Sequence, residues 1–325
     1  MRAAYAAAID ADHPLSALTV GTIAEPGPPA DGWVRVEVRA SALNHHDLWS
    51  LRGVGLTASQ LPMVLGCDAA GLGPDGAEVI VHAVIGDAAA GRDETYDPKR
   101  TLLSESHPGT FADAVWVPAR NLVPKPAALS FVEAACLPTA WLTAYKMLVD
   151  KGRVREGNAV LVQGAGGGVA TAAVVLAQAL GARVYATSRS AAKRERVAAL
   201  GATPIEPGAR LPERVDVVIE TVGGPTIDHS LKSTAPGGRI VSCGSTGGHL
   251  AEIDLRRVFF LQLELLGATM GNRDQLAELA ELMAARGITP VIDSIYPFDR
   301  AAEAFARLES GEAFGKVVLD HVANG

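Results

Sequence analysis

The stretch VLVQGAGGGVATAAVVLAQALGARVYATSRS, residues 160–190, decides the fold. A short all-apolar run leads into Gly164, Gly166, Gly167 and Gly168; a segment apolar nearly all round follows, and then a second β-type run, RVYAT. Short apolar strands alternating with helices predict a parallel sheet covered on both faces. Glycines between such a strand and the head of a helix let backbone N–H groups and the helix dipole approach a pyrophosphate, as in a dinucleotide-binding unit. Val169 and Ala170 break the strict G-x-G-x-x-G spacing. The whole strand, turn, helix and strand unit therefore carries the reading, not the glycines alone.

VDVVIE (215–220), GRIVSCG (238–244) and LELLGA (263–268) continue the series. Val222 follows the first of these strands, and Cys243, Gly244 and Ser245 end or follow the second. Carboxyl ends of parallel strands are where doubly wound folds bind ligands, so these residues are candidate cofactor contacts beside Gly166, Gly167, Gly168 and Val169. An NAD-preferring site places Asp or Glu about 20 residues after the glycines, for the ribose 2′-hydroxyl. Here that place reads Thr187-Ser188-Arg189-Ser190, with Lys193 one turn on. Hydroxyls and cations suit a 2′-phosphate, so Ser188, Arg189 and Lys193 favour NADPH.

Outward from this unit, WVRVEVRASALN (33–44) and DGAEVIVHAV (75–84) alternate in period two, as antiparallel strands do. Residues 86–109 form a long polar segment without alternation, expected to be a functional or lid-like loop. SFVEAACLPTAWLTAYKMLVDKG (130–152) reads as a helix capped by Ser130 and Glu133 and stopped by Gly152. The expected division is 1–125 for a β-rich domain, 126–269 for the doubly wound domain and 270–325 for a return to the first.

At 325 residues with 48% hydrophobic and 20% charged composition, the chain is long enough for two ordered cores. Net charge is −7, without a long basic run, which argues against nucleic-acid or membrane-surface binding and for a small-molecule partner. No run approaches the ~18 apolar residues of a membrane helix. Cys67, Cys136 and Cys243 make neither a CxxC knuckle nor a disulfide framework, so a reduced, cytoplasmic protein is expected.

The order SALNHHDLWSLRG, GCDAAG, GTFADAV, NLVPKP, AACLPTAWLTAY, the glycine turn, ETVGG, PGGRIVSCG and FGKVVL resembles the medium-chain dehydrogenase/reductase superfamily over nearly the whole chain. It is most similar to the zinc-independent quinone oxidoreductase branch. The resemblance implies an α/β protein with a GroES-like β-rich catalytic domain and a doubly wound parallel-sheet Rossmann domain. It also implies a homodimer joined through the apolar edge strand near VFFLQLELLGATMG. In the zinc enzymes of the superfamily a Gly-His-Glu motif supplies a metal ligand; here it reads Gly66-Cys67-Asp68. The other ligand positions fall on Asn44 and near Thr139, and residues 86–109 lack the cysteines of a structural zinc lobe. A non-standard site from Cys67, Asp68 and His45 or His46 is opposed by strand geometry, since adjacent residues point to opposite faces. No metal is therefore expected.

The implied chemistry is hydride transfer from NADPH to a quinone or α,β-unsaturated carbonyl. Asn44, matching the first letter of an N-x-x-D pattern, is expected to donate to the substrate oxygen, unless it merely caps a turn. Asp47 matches the second letter, expected with Arg52 to fix a loop, and His45 or His46 could deliver a proton, with His46 taken as the candidate donor. The resemblance adds Thr143, Met270 and Lys316 as cofactor contacts. Two other readings remain: a zinc alcohol dehydrogenase with non-standard ligands, and an NADPH-binding sensor without turnover.

Overall fold

The computed structural model describes residues 1–88 and 92–323. The chain folds into two compact units, Met1–Leu142 with Met270–Gly325, and Thr143–Thr269.

The first unit is built on a sheet ordered Leu122–Pro124, Glu78–Val81, Asp68–Leu72, Trp33–Ala42, Lys316–Asp320 and Ile292–Pro297, with Ala114–Pro118 also paired to Trp33–Ala42. Trp33–Ala42 keeps the period expected of it: Val36 and Val38 are buried while Arg35 and Glu37 face out. Its register slips between Val38 and Ala40, a bulge where it meets Asp68–Leu72. Gly71 lies against this strand so closely that a Cβ would strike the Glu37 carbonyl. The tail rejoins this unit, because Lys316–Asp320 pairs antiparallel with the end of Trp33–Ala42.

The expected helix after Ser130 forms with its capping box, Ser130 Oγ accepting the Glu133 N–H and Glu133 accepting the Ser130 N–H. It is not one regular α-helix. Leu137–Trp141 and Met147–Lys151 are π turns around Leu142–Lys146. Pro138, which has no N–H for the i−4 carbonyl, lies in the first of them. The unit boundary falls within this run, at Leu142, rather than at the expected 125/126. The reason is packing: Phe131–Ala134 and Leu137–Trp141 lie against Asp68–Leu72, so the first half of the run belongs to the β-rich unit. The segment 86–109 is partly ordered, with a 3-10 turn at Glu94–Tyr96 and strand Thr101–Leu102 paired to Val84–Ile85. Its residues 89–91 lie outside the described residues.

The second unit is the doubly wound sheet, six parallel strands in the order Thr203–Ile205, Arg183–Thr187, Ala159–Val162, Val215–Glu220, Thr234–Ser242 and Glu264–Gly267. Ala159–Val162 is buried throughout, as a central strand covered on both faces must be. Glu264–Gly267 is an edge strand. Among the described residues no helix is long and apolar enough to cross a membrane.

Candidate functional site

In the β-rich unit, Gly66 sets the geometry. Its φ of +98° and its fit against Thr110 and Phe111, where a Cβ would come within 2.5 Å, admit only glycine. The two residues that follow diverge. Asp68 Oδ2 accepts from Lys316 Nζ at 2.9 Å and from Asn44 Nδ2 at 2.9 Å. Cys67 Sγ donates to the Leu103 carbonyl at 3.3 Å and lies 3.7 Å from His46 Nδ1.

Asn44 precedes the helix His45–Leu51, and its N–H donates to Asp47 Oδ2 at 2.7 Å. Its side chain is committed inside the protein. Nδ2 donates to Asp68 and, at 3.4 Å, to the Ala42 carbonyl, while Oδ1 accepts from Lys316 at 2.7 Å. Asn44 is thus held as a strut, with no amide hydrogen left for a substrate oxygen, which corrects the role expected from its motif. Lys316 is corrected in the same way. Its ammonium is 2% exposed and its three donors reach Leu43 O, Asn44 Oδ1 and Asp68 Oδ2, leaving none for a phosphate. Asp47 is fully buried and does not pair with Arg52, whose guanidinium faces Glu309 at 3.8 Å. Burial pushes the Asp47 carboxyl up to about 6, against the pull of the His46 charge. Met270, expected at the cofactor, packs in the apolar cluster of this unit with Cys67, Val81 and Val115.

In the NHHD segment His45 is exposed and His46 is half-buried. The His46 Nε2 lies 2.8 Å from Glu105 Oε1, and Gly55 makes room for that carboxylate, since a Cβ there would sit 2.5 Å from Oε1. Burial opposes a charge on the ring, but the Cys67 sulfur and the Glu105 carboxylate outweigh it and raise the pKa to about 11. Burial pushes the Cys67 thiol up, against the pull of the His46 charge. Sequence reasoning missed Glu105, which sits in a polar loop with no motif around it.

In the doubly wound unit, Gly164 and Gly166 have φ of +74° and +136°. A Cβ on Gly164 would run into the Val222 side chain, so Val222 closes over the turn. Gly167 caps the helix Gly168–Ala179 with open space above it, and Gly168 and Val169 begin that helix partly exposed. This is an accessible helix N-terminus, as pyrophosphate binding requires. Lys193 lies along the same turn, its Nζ 3.2 Å from where a Gly166 Cβ would be. Thr187 and Ser190 serve the backbone: Thr187 Oγ1 accepts the Gly164 N–H, and Ser190 Oγ caps the next helix. Arg189 is exposed, while Ser188 is buried and its carbonyl is held by Arg194. Behind them Glu220, fully buried, accepts from Val222 N, Gly223 N, Thr226 Oγ1 and Ser230 Oγ. That buried carboxylate sets the Val222 loop, a role no sequence signal marked. Cys243 lies at the end of strand Thr234–Ser242, its thiol pushed up to about 12 by burial and the Glu220 charge. Gly244 approaches Thr221 so closely that a Cβ would sit 2.9 Å from its carbonyl oxygen, and Ser245 is exposed beside it. Thr143 is buried in the helical run that opens this unit.

The donor set does not fit a catalytic zinc, which takes three N, S or O protein ligands. Asn44 and Asp68 face an ammonium, and Cys67 faces the other way. Thr139 Oγ1 is buried with no partner. Among the described residues no three His, Cys, Asp or Glu converge as metal ligands.

Residues 30–127 match the Alcohol dehydrogenase GroES-like domain, and residues 191–319 match the Zinc-binding dehydrogenase family. A zinc-type alcohol dehydrogenase-like protein of Schizosaccharomyces pombe is 31% identical over 315 residues, covering 89% of this chain and 90% of that protein. Acryloyl-coenzyme A reductase of Metallosphaera sedula is 30% identical over 311 residues, covering 90% of this chain and 93% of its own. A solved structure described as an NAD-dependent alcohol dehydrogenase superposes with a TM-score of 0.89 at 34% identity, over 98% of this chain and 99% of that one. Likeness of this degree along nearly the full length, on a GroES-like unit and a parallel dinucleotide-binding sheet, means that the chain belongs to the medium-chain dehydrogenase/reductase superfamily of nicotinamide-dependent oxidoreductases.

Proposed function

We propose that the protein is an NADPH-dependent reductase of quinones or α,β-unsaturated carbonyl compounds, working without a catalytic metal. The observation that carries the reading is the end of strand Arg183–Thr187. No carboxylate stands there, Arg189 is exposed, and Lys193 lies along the glycine turn. Two cations there suit a 2′-phosphate, where an NAD site has an acid for the ribose hydroxyl. When bound, the cofactor supplies hydride to an electron-poor carbon of the substrate.

The protein's part is placement and the proton. Gly167, Gly168 and Val169 present the helix N-terminus to the pyrophosphate, and Val222 and Ser245 border it from the neighbouring strand ends. His46, held as an imidazolium by Glu105, is the proton source; its Nδ1 proton, with the longer contact to Cys67, is the more loosely held. Glu105 is partly exposed and recharges the ring from solvent. Asn44, Asp47 and Lys316 position the helix that carries His46. The acryloyl-CoA reductase relative supports a conjugated acceptor, since acryloyl is an α,β-unsaturated acyl group.

The test is loss of NADPH absorbance in chelator-treated protein with a panel of quinones, enones and unsaturated acyl thioesters, with NADH alongside. Turnover that prefers NADPH is expected. Activity that vanishes on chelation and returns with zinc would replace this reading with an alcohol dehydrogenase.

A further inference from the structure

The ammonium of Lys316 stands in an oxygen cage. It donates to a backbone carbonyl, Leu43 O at 2.7 Å, to an amide, Asn44 Oδ1 at 2.7 Å, and to a carboxylate, Asp68 Oδ2 at 2.9 Å. Asp68 and Asp47 are both fully buried, and each has a second oxygen, Oδ1, with no hydrogen-bond partner. Carbonyl, amide and carboxylate oxygens are the ligands that hard divalent cations take. An uncompensated carboxylate buried at this depth costs several kcal/mol, so Asp68 needs a cation beside it or a proton on it. The three donors of an ammonium match the three acceptors present, and Lys316 enters from a strand paired directly to the one that ends at Ala42.

We propose that Lys316 is a resident cation of this unit: its ammonium joins Asn44 to Asp68 by filling a set of oxygens of the kind a divalent ion takes, and so positions the helix His45–Leu51 that carries His46. The wild-type chain is then indifferent to metal, while removal of the ammonium uncovers a hard-cation site made of the same oxygens. The arrangement concerns the fold of this unit and stands whatever the substrate proves to be.

The experiment compares thermal melting and Mn2+ binding, read by electron paramagnetic resonance, for wild type, K316M and the K316M/D68N double variant, in EDTA and in MnCl2. Wild type is expected to melt at one temperature in both and to bind no Mn2+ tightly. K316M is expected to melt lower in EDTA, to recover in MnCl2 and to bind one Mn2+ per chain. The neutral double variant should be insensitive to the ion. A K316M chain as stable as wild type and blind to Mn2+ overturns the proposal, as does a wild-type chain that binds a divalent ion through Asp68. Should K316M be recovered only as aggregate, refolding gives the same decision: soluble chain in MnCl2 but not in EDTA supports the resident cation, and soluble chain in neither sinks it.

Discussion

His46 Nε2 lies 2.8 Å from Glu105 Oε1, and the two residues are 59 positions apart in the sequence. The contact joins a helix that follows the first long strand to a loop that sequence pattern leaves without assignment. It is one of the contacts that raise the His46 pKa.

The pair has a pH signature. The folded pKa of His46 is raised from 6.5 to about 11, so the stabilisation from its charged form is complete below 6.5 and is lost as pH rises towards 11. E105Q removes one partner that raises it. The variant should lose about 2 kcal/mol at neutral pH, the size of a hydrogen bond to a charged group, and the gap to wild type should shrink on titration towards pH 11. NMR titration of the His46 ring checks the cause: wild type stays protonated well above neutrality, and E105Q titrates lower. A ring that titrates near 6.5 in both proteins would remove His46 as the charged donor.

Cofactor choice rests on Arg189 and Lys193. R189A and K193A should each weaken NADPH binding about tenfold, or ~1.4 kcal/mol, and leave NADH binding nearly unchanged. Fluorescence titration with both nucleotides measures this. Equal losses for the two would mean that these side chains meet the pyrophosphate or nothing, and would undo the NADPH assignment.

Much of the fold is legible in the sequence because it rests on local pattern. The glycine turn, the buried strand before it and the Ser130 capping box are each set by residues within a few positions. The divergence of Cys67 and Asp68 is legible from strand geometry. What is not legible joins distant residues: Lys316 meets Asp68 across 248 positions, and no spacing rule announces such a pair. Family resemblance points Asn44 and Lys316 each at a ligand, and the fold uses their donors internally. The unit boundary is hidden because helical periodicity continues through Pro138, while packing divides the run after it.

The edge strand Glu264–Gly267 carries the last prediction. Phe259 and Phe260 precede it and are 60% and 75% exposed, with Leu255 and Leu265 exposed nearby. An open strand edge beside exposed apolar side chains is an aggregation hazard unless something covers it, and a second copy of the same edge covers both at once. Light scattering should therefore give twice the 33.7 kDa chain mass. F260D should shift the protein to monomer with its far-ultraviolet circular dichroism intact, because the ring is outside the core of its own unit. A wild-type monomer at working concentration would rule out the pairing. A dimer indifferent to F260D would move the interface to another face.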